Sequence, residues 1–155
     1  MSTRLRRPAA GLLAAATATA LLAGCGPDDV TQPDLESTLA SSFARLYVRQ
    51  QQLLGRPGLS PDALAVRARC DKPGAGANRG AGAWTCTVTW FGPDGTPLEA
   101  DYELQAKAGG CFTAAGQPAV VGAPRLEAPD GGRFVNPVAA IDACYLPGAE
   151  ARAAA

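Results

Sequence analysis

The sequence predicts an α+β fold in which an N-terminal helix packs on one face of an antiparallel sheet. Apolar residues recur at helical spacing between positions 35 and 54, and two strand-like segments flank a Gly-Pro-Asp-Gly turn at 92–95. The predicted helix has an apolar stripe to bury, and the predicted sheet has an apolar face to cover. A helix lying on an antiparallel sheet satisfies both requirements.

The helix is predicted to begin within residues 31–34, Thr-Gln-Pro-Asp. The threonine is a suitable N-cap, the proline falls in the first turn, where its missing N–H costs nothing, and the aspartate lies near the positive helix end. Gly55 and Pro57 are typical of a helix end. Core packing is the favoured role for the apolar stripe, which comprises Leu35, Leu39, Phe43, Leu46, Tyr47, Leu53 and Leu54.

The clearest strand pattern is a β-hairpin formed by residues 84–91 and 98–107. Alternation places Trp84, Trp90 and Tyr102 on the inward face, where we expect them to belong to the core. Phe91 falls on the outward, polar face near the turn. Either the segment 112–135 covers it, or it marks an exposed contact site.

The remaining predicted elements are shorter. In chain order they are a strand over 63–70, a flexible Gly-rich loop over 71–83, a bend or short strand starting at 111–113, a possible strand at 119–121, a small hairpin over 126–135 around Asp130-Gly131-Gly132, and a short C-terminal helix over 138–144 that begins at Asn136-Pro137.

Residues 1–24 have the order of an export signal: a basic start, an apolar run of about 14 residues, and small residues at the end. That run is short for a membrane-spanning helix, which needs about 20 residues. The residues at the end of this signal, Leu22-Ala23-Gly24, together with Cys25 resemble the lipobox of bacterial lipoproteins. The resemblance implies cleavage before Cys25, a lipid on its sulfur, and a protein anchored to the extracytoplasmic face of the cell membrane.

We therefore predict a lipoprotein signal peptide at 1–24, a polar tether at 25–31, a single α+β domain at 32–146 and a disordered tail at 147–155. Removal of the signal leaves 155 − 24 = 131 residues, which is enough for one core. Three of the 14 basic residues leave with the signal, so 11 remain against 14 acidic ones. This mildly acidic chain has no basic cluster, and we expect no nucleic-acid partner.

Beyond the lipobox, residues from about 33 to 108 are predicted to form a helix, Cys-bearing strands and a Pro-Asp-Gly hairpin, in that order. This order resembles that of small actinobacterial lipoproteins with an α+β domain of unknown function. The resemblance implies a cystatin-like arrangement, with the helix across a curved antiparallel sheet. It supplies no active site to transfer.

Cys70, Cys86, Cys111 and Cys144 remain once Cys25 is assigned to lipid. An even number of cysteines in an exported protein indicates two disulfides, for which three connectivities are possible. The predicted inward positions of Cys70 and Cys86 on strands flanking the Gly-rich loop favour their pairing, which leaves Cys111 with Cys144. Without histidine or a C-x-x-C motif, we predict no metal site and no redox-active pair.

The absence of histidine removes the commonest general base and the usual partner of a nucleophilic serine. Glu99, Asp101 and Glu103 lie on one strand face at steps of about 7 Å, with Arg67 and Arg69 as cross-strand partners if the strands are neighbours. We predict no catalytic residues and no cofactor. The expected function is a membrane-anchored, extracytoplasmic binding module for an envelope protein or small ligand; the alternative is a small envelope hydrolase that uses a carboxylate pair.

Overall fold

A computed structural model describes residues 30–74 and 78–145. The predicted signal peptide, Cys25, the tether up to residue 29 and the tail 147–155 lie outside these described residues. Within the described ranges, no helix combines the length and apolar character needed to cross a membrane.

Helix α1, Gln32–Leu53, begins and ends close to the predicted positions. Thr31 is the N-cap, and its hydroxyl accepts a hydrogen bond from the backbone N–H of Asp34 at 3.4 Å. Gly55 follows the helix with φ of +75°, a conformation that glycine adopts without strain. A Cβ at this position would also come within 2.9 Å of Pro129 Cγ.

In the described part of the chain, the main sheet has five strands in the order β1-β2-β3-β4-β7, and every neighbouring pair is antiparallel. Its strands are β1 Arg67–Asp71, β2 Gly82–Phe91, β3 Pro97–Ala106, β4 Cys111–Gly116 and β7 Ala140–Cys144. A separate pair consists of β5 Arg125–Glu127 and β6 Arg133–Val135. The α+β class, the main hairpin and the small second hairpin are confirmed.

The core lies between α1 and the inward face of this sheet. Phe43 of α1 is fully buried, and its ring centroid is 4.7 Å from that of Trp90 and 6.1 Å from that of Tyr102. Trp84 is buried as well. The predicted core positions of both tryptophans and of Tyr102 are therefore confirmed.

Tyr102 is held in this core by a hydrogen bond of its hydroxyl group. Its hydroxyl donates a hydrogen bond to the carbonyl oxygen of Val138 at 2.7 Å, and Gly116 packs so closely that a Cβ there would lie 2.7 Å from Tyr102 Cζ. Burial raises the pKa of the Tyr102 phenol well above its usual range.

We expect stability to fall as the pH rises above about 10, the pKa of a tyrosine in an unfolded chain. The unfolded state then loses the phenolic proton while the folded state keeps it, so deprotonation favours unfolding. Tyr102→Phe should remove this part of the alkaline loss, at the cost of the bond to Val138. Urea denaturation between pH 8 and about pH 11 checks this. An equally steep decline in the variant would contradict the assignment.

The predicted strand at 63–70 is wrong in its first half. Asp62–Leu64 form a 3₁₀ turn, Ala65 follows with φ of +46°, and β1 begins only at Arg67. Leu64 is nevertheless buried. Because a turn and a strand both bury Leu64, the alternation of apolar residues did not distinguish them.

The predicted C-terminal helix at 138–144 is also wrong. The backbone N–H of Val138 donates to the side-chain oxygen of Asn136 at 3.2 Å, which forms a turn, and the chain then continues as β7 beside β4. Val138 and Ile141 are buried. Pairing with the open edge of β4 satisfies a whole row of backbone groups, which outweighs the local helix-start pattern.

The possible strand at 119–121 is instead part of a one-turn helix, α2 Pro118–Val121. A buried amide network holds it: Gln50 donates to the Val121 carbonyl at 3.1 Å and to Asn136 Oδ1 at 2.8 Å, and Asn136 donates to the same carbonyl at 2.9 Å. The pattern at 111–113 does start a strand, β4.

Both predicted disulfides are confirmed, and in each the two cysteines lie directly opposite one another. Cys70–Cys86 joins the edge strand β1 to β2 and is fully buried. Cys111–Cys144 joins β4 to the edge strand β7; Cys111 is half-buried and Cys144 is exposed. The second bridge thus fixes a strand, not the helix that the sequence suggested.

The first described residues attach to the segment before β2. Gly80 N–H donates to the Val30 carbonyl at 2.7 Å, and Gln32 N–H donates to the Asn78 carbonyl at 3.1 Å. Lys72 Nζ donates to three carbonyls of residues 79–81. The chain therefore enters the fold at the end of the sheet opposite the 92–96 turn.

Candidate functional site

The outward face of β1, β2 and β3 carries three parallel columns of side chains. The register aligns them in rows, which are Arg67–Thr89–Glu99, Arg69–Thr87–Asp101 and Asp71–Thr85–Glu103. The charged members of these rows are exposed, whereas Thr87 and Thr89 are half-buried. Two arginines on the edge strand are thus separated from the acidic column of β3 by a column of threonines.

The condition for cross-strand pairing of Arg67 and Arg69 with the β3 carboxylates is not met, because β2 lies between the two strands. Thr89 and Thr87 are the register neighbours of the two arginines. Among the described residues, neither guanidinium has an ion-pair partner. The edge strand therefore presents two positive charges that no described carboxylate neutralises by contact.

The carboxylates of the hydrolase alternative, Glu99, Asp101 and Glu103, occupy alternate positions along β3 and are all exposed. Asp101 Oδ1 accepts a hydrogen bond from Thr87 Oγ1 at 2.8 Å. A glycosidase pair acts from opposite sides of a bound sugar ring. These three side chains instead form an exposed row on one face of β3.

A shallow groove of about 910 Å³ borders β1 between this strand and α1, and it extends across β1 to Thr87, Thr89 and Glu99 on the outward face. Ser37 and Ala40 of α1 form one wall, while Ala68 and the two arginines of β1 form the other. At its end, Glu36 Oε1 accepts a hydrogen bond from the backbone N–H of Cys70 at 2.8 Å. This contact fastens the helix to one end of the edge strand.

Phe91, the predicted contact residue, is 46% exposed, so the segment 112–135 does not cover it. It borders a depression of about 410 Å³ that also includes Ala65, Pro97 and Leu98. Trp90 lines the same depression, and within the described part of the chain its buried indole N–H has no hydrogen-bond partner. The structure thus leaves an exposed apolar surface beside the charged rows.

Sequence reasoning missed the groove wall on α1. Ser37, Ala40, Ser41 and Ala44 recur at i, i+3, i+4 and i+7, which makes a strip of small side chains beside the apolar stripe. They line this groove and its continuation towards Val66. The spacing was visible in the sequence, but the sequence did not show that β1 lies beside this strip.

Across residues 30–74 and 78–145, no three Cys, Asp or Glu side chains are grouped so as to hold a metal ion. Comparison with protein-family models, curated proteins and solved structures finds no match for the chain.

Proposed function

We propose that this protein is a lipid-anchored, extracytoplasmic binding module that uses the outer face of β1–β3 to contact its partner. The observation that carries the proposal is the open, charged face with unneutralised arginines at its edge, set over a filled core. A rigid sheet holds such side chains in fixed register, as a binding surface requires.

The anchoring part of the proposal rests on the lipobox resemblance at residues 22–25 and on the cysteines. All four described cysteines are paired, which is typical of proteins that fold in an oxidising compartment. Helix α1 starts at Gln32, only 32 − 25 = 7 positions after Cys25. The folded domain of an anchored protein would therefore lie close to the bilayer.

The orientation of the surface follows from where the chain enters the fold. The strand β2 runs from the entry end to Phe91, and its ten residues span about 30 Å. In the anchored protein, Phe91 and the 92–96 turn would point away from the membrane. We further propose that the arrangement is cystatin-like, with a curved sheet around α1.

The binding role is favoured over the hydrolase role by the exposure of all three β3 carboxylates. A general acid at neutral pH usually needs a raised pKa, which burial or a close like charge provides. An exposed row on one strand face does not enclose a substrate or exclude water.

Cys25→Ser tests the anchor. The parent chain should partition with membranes and incorporate labelled palmitate when expressed in a bacterium, because the lipid is attached to the Cys25 sulfur. The variant should lose both properties, whereas Gly26→Ser, just outside the motif, should keep them. Equal palmitate incorporation in the Cys25→Ser variant would overturn the anchoring proposal.

A photo-crosslinking amino acid at Phe91 tests the binding surface in intact cells. We expect a discrete crosslinked product from this position and none from Val135, an apolar side chain on the separate β5–β6 pair that is more exposed, at 66% against 46%. Identical patterns from the two positions would count against a role for the β1–β3 face.

A further inference from the structure

Within residues 30–74 and 78–145, β2 is the only strand that pairs with β1, so β1 is an edge of the main sheet. In an antiparallel pair, successive residues point their backbone N–H and C=O groups alternately towards the partner and away from it. The N–H of Cys70 points away from β2, since it donates to Glu36 on α1. Ala68, two residues earlier, therefore also points its backbone groups outward.

These outward groups of Ala68 are open. Within the described ranges, no hydrogen bond engages the N–H or the carbonyl on this side of Ala68. An exposed row of unpaired backbone groups is the template to which another extended segment adds. The Cys70 end of the strand is closed by Glu36.

There is room beside this edge for another chain. The groove that contains Ala68 is walled on the helix side by Ser37 and Ala40, and it continues past Ser41 to Val66. Because the side chains of α1 that line the groove are small, they leave space between the helix and the strand. A segment added at the usual strand spacing of about 4.8 Å would enter this groove.

Charge specifies the partner. Side chains of an added strand would stand beside Arg67 and Arg69, which are exposed and have no described ion-pair partner. Opposite charges on neighbouring strands attract, so acidic residues two positions apart would be favoured. The carboxylates at the groove do not cancel this: Glu36 is engaged with Cys70 and Gln32, and Glu99 lies two strands away on β3.

A second copy of this chain fits the edge poorly. If two β1 strands paired antiparallel about Ala68, Arg67 of each would lie opposite Arg69 of the other. Four guanidinium groups would then meet on one face, and like charges directly opposite one another are destabilising. The edge thus discourages self-pairing while it remains open to an acidic segment.

We propose that β1 accepts an extended acidic polypeptide segment, which adds to the sheet as a further strand in the groove between β1 and α1. The inference rests on the proposed binding function and names its surface and the chemistry of its partner. The backbone of Ala68 supplies the hydrogen bonds, and Arg67 and Arg69 select acidic side chains.

The test uses a short synthetic peptide of alternating Val and Glu and the full-length chain carrying Cys25→Ser, labelled with ¹⁵N. Binding should protect the Ala68 amide from hydrogen exchange, while the amides of Arg67 and Arg69, already paired with β2, should change little. A peptide in which Lys replaces Glu should bind at least about tenfold more weakly, since it faces like charge.

Two variants test the separate contributions of charge and backbone. Arg67→Glu with Arg69→Glu should reverse the preference towards the Lys peptide, whereas Arg49→Glu with Arg125→Glu, which changes the net charge equally at exposed sites elsewhere, should leave it unchanged. Ala68→Pro removes the outward N–H without breaking the β1–β2 ladder, as proline is tolerated at such edge positions. It should abolish binding while the thermal transition is retained.

Three results would overturn the proposal. The first is an Ala68 amide that is already protected from hydrogen exchange in the free chain. The second is protection of this amide that appears without peptide when the protein concentration is raised. The third is peptide binding that perturbs only residues remote from β1. None of these would affect palmitate incorporation or the crosslink from Phe91, so a failure of strand addition is distinguishable from a failure of the proposed function.

Discussion

Phe43→Ala is expected to lower the free energy of unfolding by about 3–5 kcal/mol. The side chain is fully buried and packs against Tyr47, Trp90 and Tyr102, so truncation leaves a cavity where α1 meets the sheet. For a domain with a net stability of about 5–15 kcal/mol, such a loss is a large share of the total, and at the lower end of that range it brings the protein close to unfolding at room temperature.

Urea denaturation followed by tryptophan fluorescence measures this loss. Phe91→Ala is the matched control, because the same atoms are removed from a side chain that is 46% exposed; its cost should stay below about 1 kcal/mol. Similar costs for the two variants would contradict the assignment of Phe43 to the centre of the core.

Removal of the Cys70–Cys86 bridge by alanine substitution at both positions should cost more than removal of Cys111–Cys144. Chain entropy alone favours the opposite order. The bridges span 16 and 33 positions, and the loss of unfolded-chain entropy on closing such loops stabilises the folded state by roughly 3 and 4 kcal/mol. Cys70 and Cys86 are fully buried, however. Loss of two core sulfur atoms adds on the order of 1–2 kcal/mol, which outweighs the difference of less than about 1 kcal/mol between the loops.

The same contrast predicts the order of reduction. Dithiothreitol should open Cys111–Cys144 first, because Cys144 is exposed on the outer face whereas both sulfurs of the other bridge are enclosed. Timed alkylation followed by peptide mass spectrometry gives the order directly. Earlier labelling of Cys70 or Cys86 would contradict it, and equal denaturation midpoints for the two double variants would contradict the stability ranking.

The sequence was sufficient to predict the elements whose patterns are long. Helix α1 and the β2–β3 hairpin each bury one face over many residues, so the period of their apolar residues identifies the element and the buried side chains. Both disulfides followed from the same alternation, once two cysteines could be placed on neighbouring inward faces.

Short segments gave the errors. The stretch from Ala140 to Cys144 is a strand because β4 offers it an unpaired edge and Cys111 lies opposite Cys144, and neither fact is local to the segment. Val120 and Val121, β-branched residues typical of strands, are held in a single helical turn by Gln50 and Asn136. Contacts made at a distance of many residues override weak local preference.

The candidate site was only partly predictable for the same reason. Alternation correctly placed Phe91 on the outward face and the carboxylates of β3 in a row. The order of strands decides which side chains are neighbours on the sheet. Because β2 lies between β1 and β3, Arg67 and Arg69 are separated from Glu99 and Asp101. The same order made β1 an edge.

The two bridges also bear on how this sheet resists proteases. Each links an edge strand to its inner neighbour, so neither β1 nor β7 can detach from the sheet while the bridges are intact. Local opening at edges and termini is a common way for a protease to gain access to a folded chain. A cut between Cys70 and Cys86 would nick the chain without releasing a fragment, and the nicked protein would separate into two pieces only after reduction.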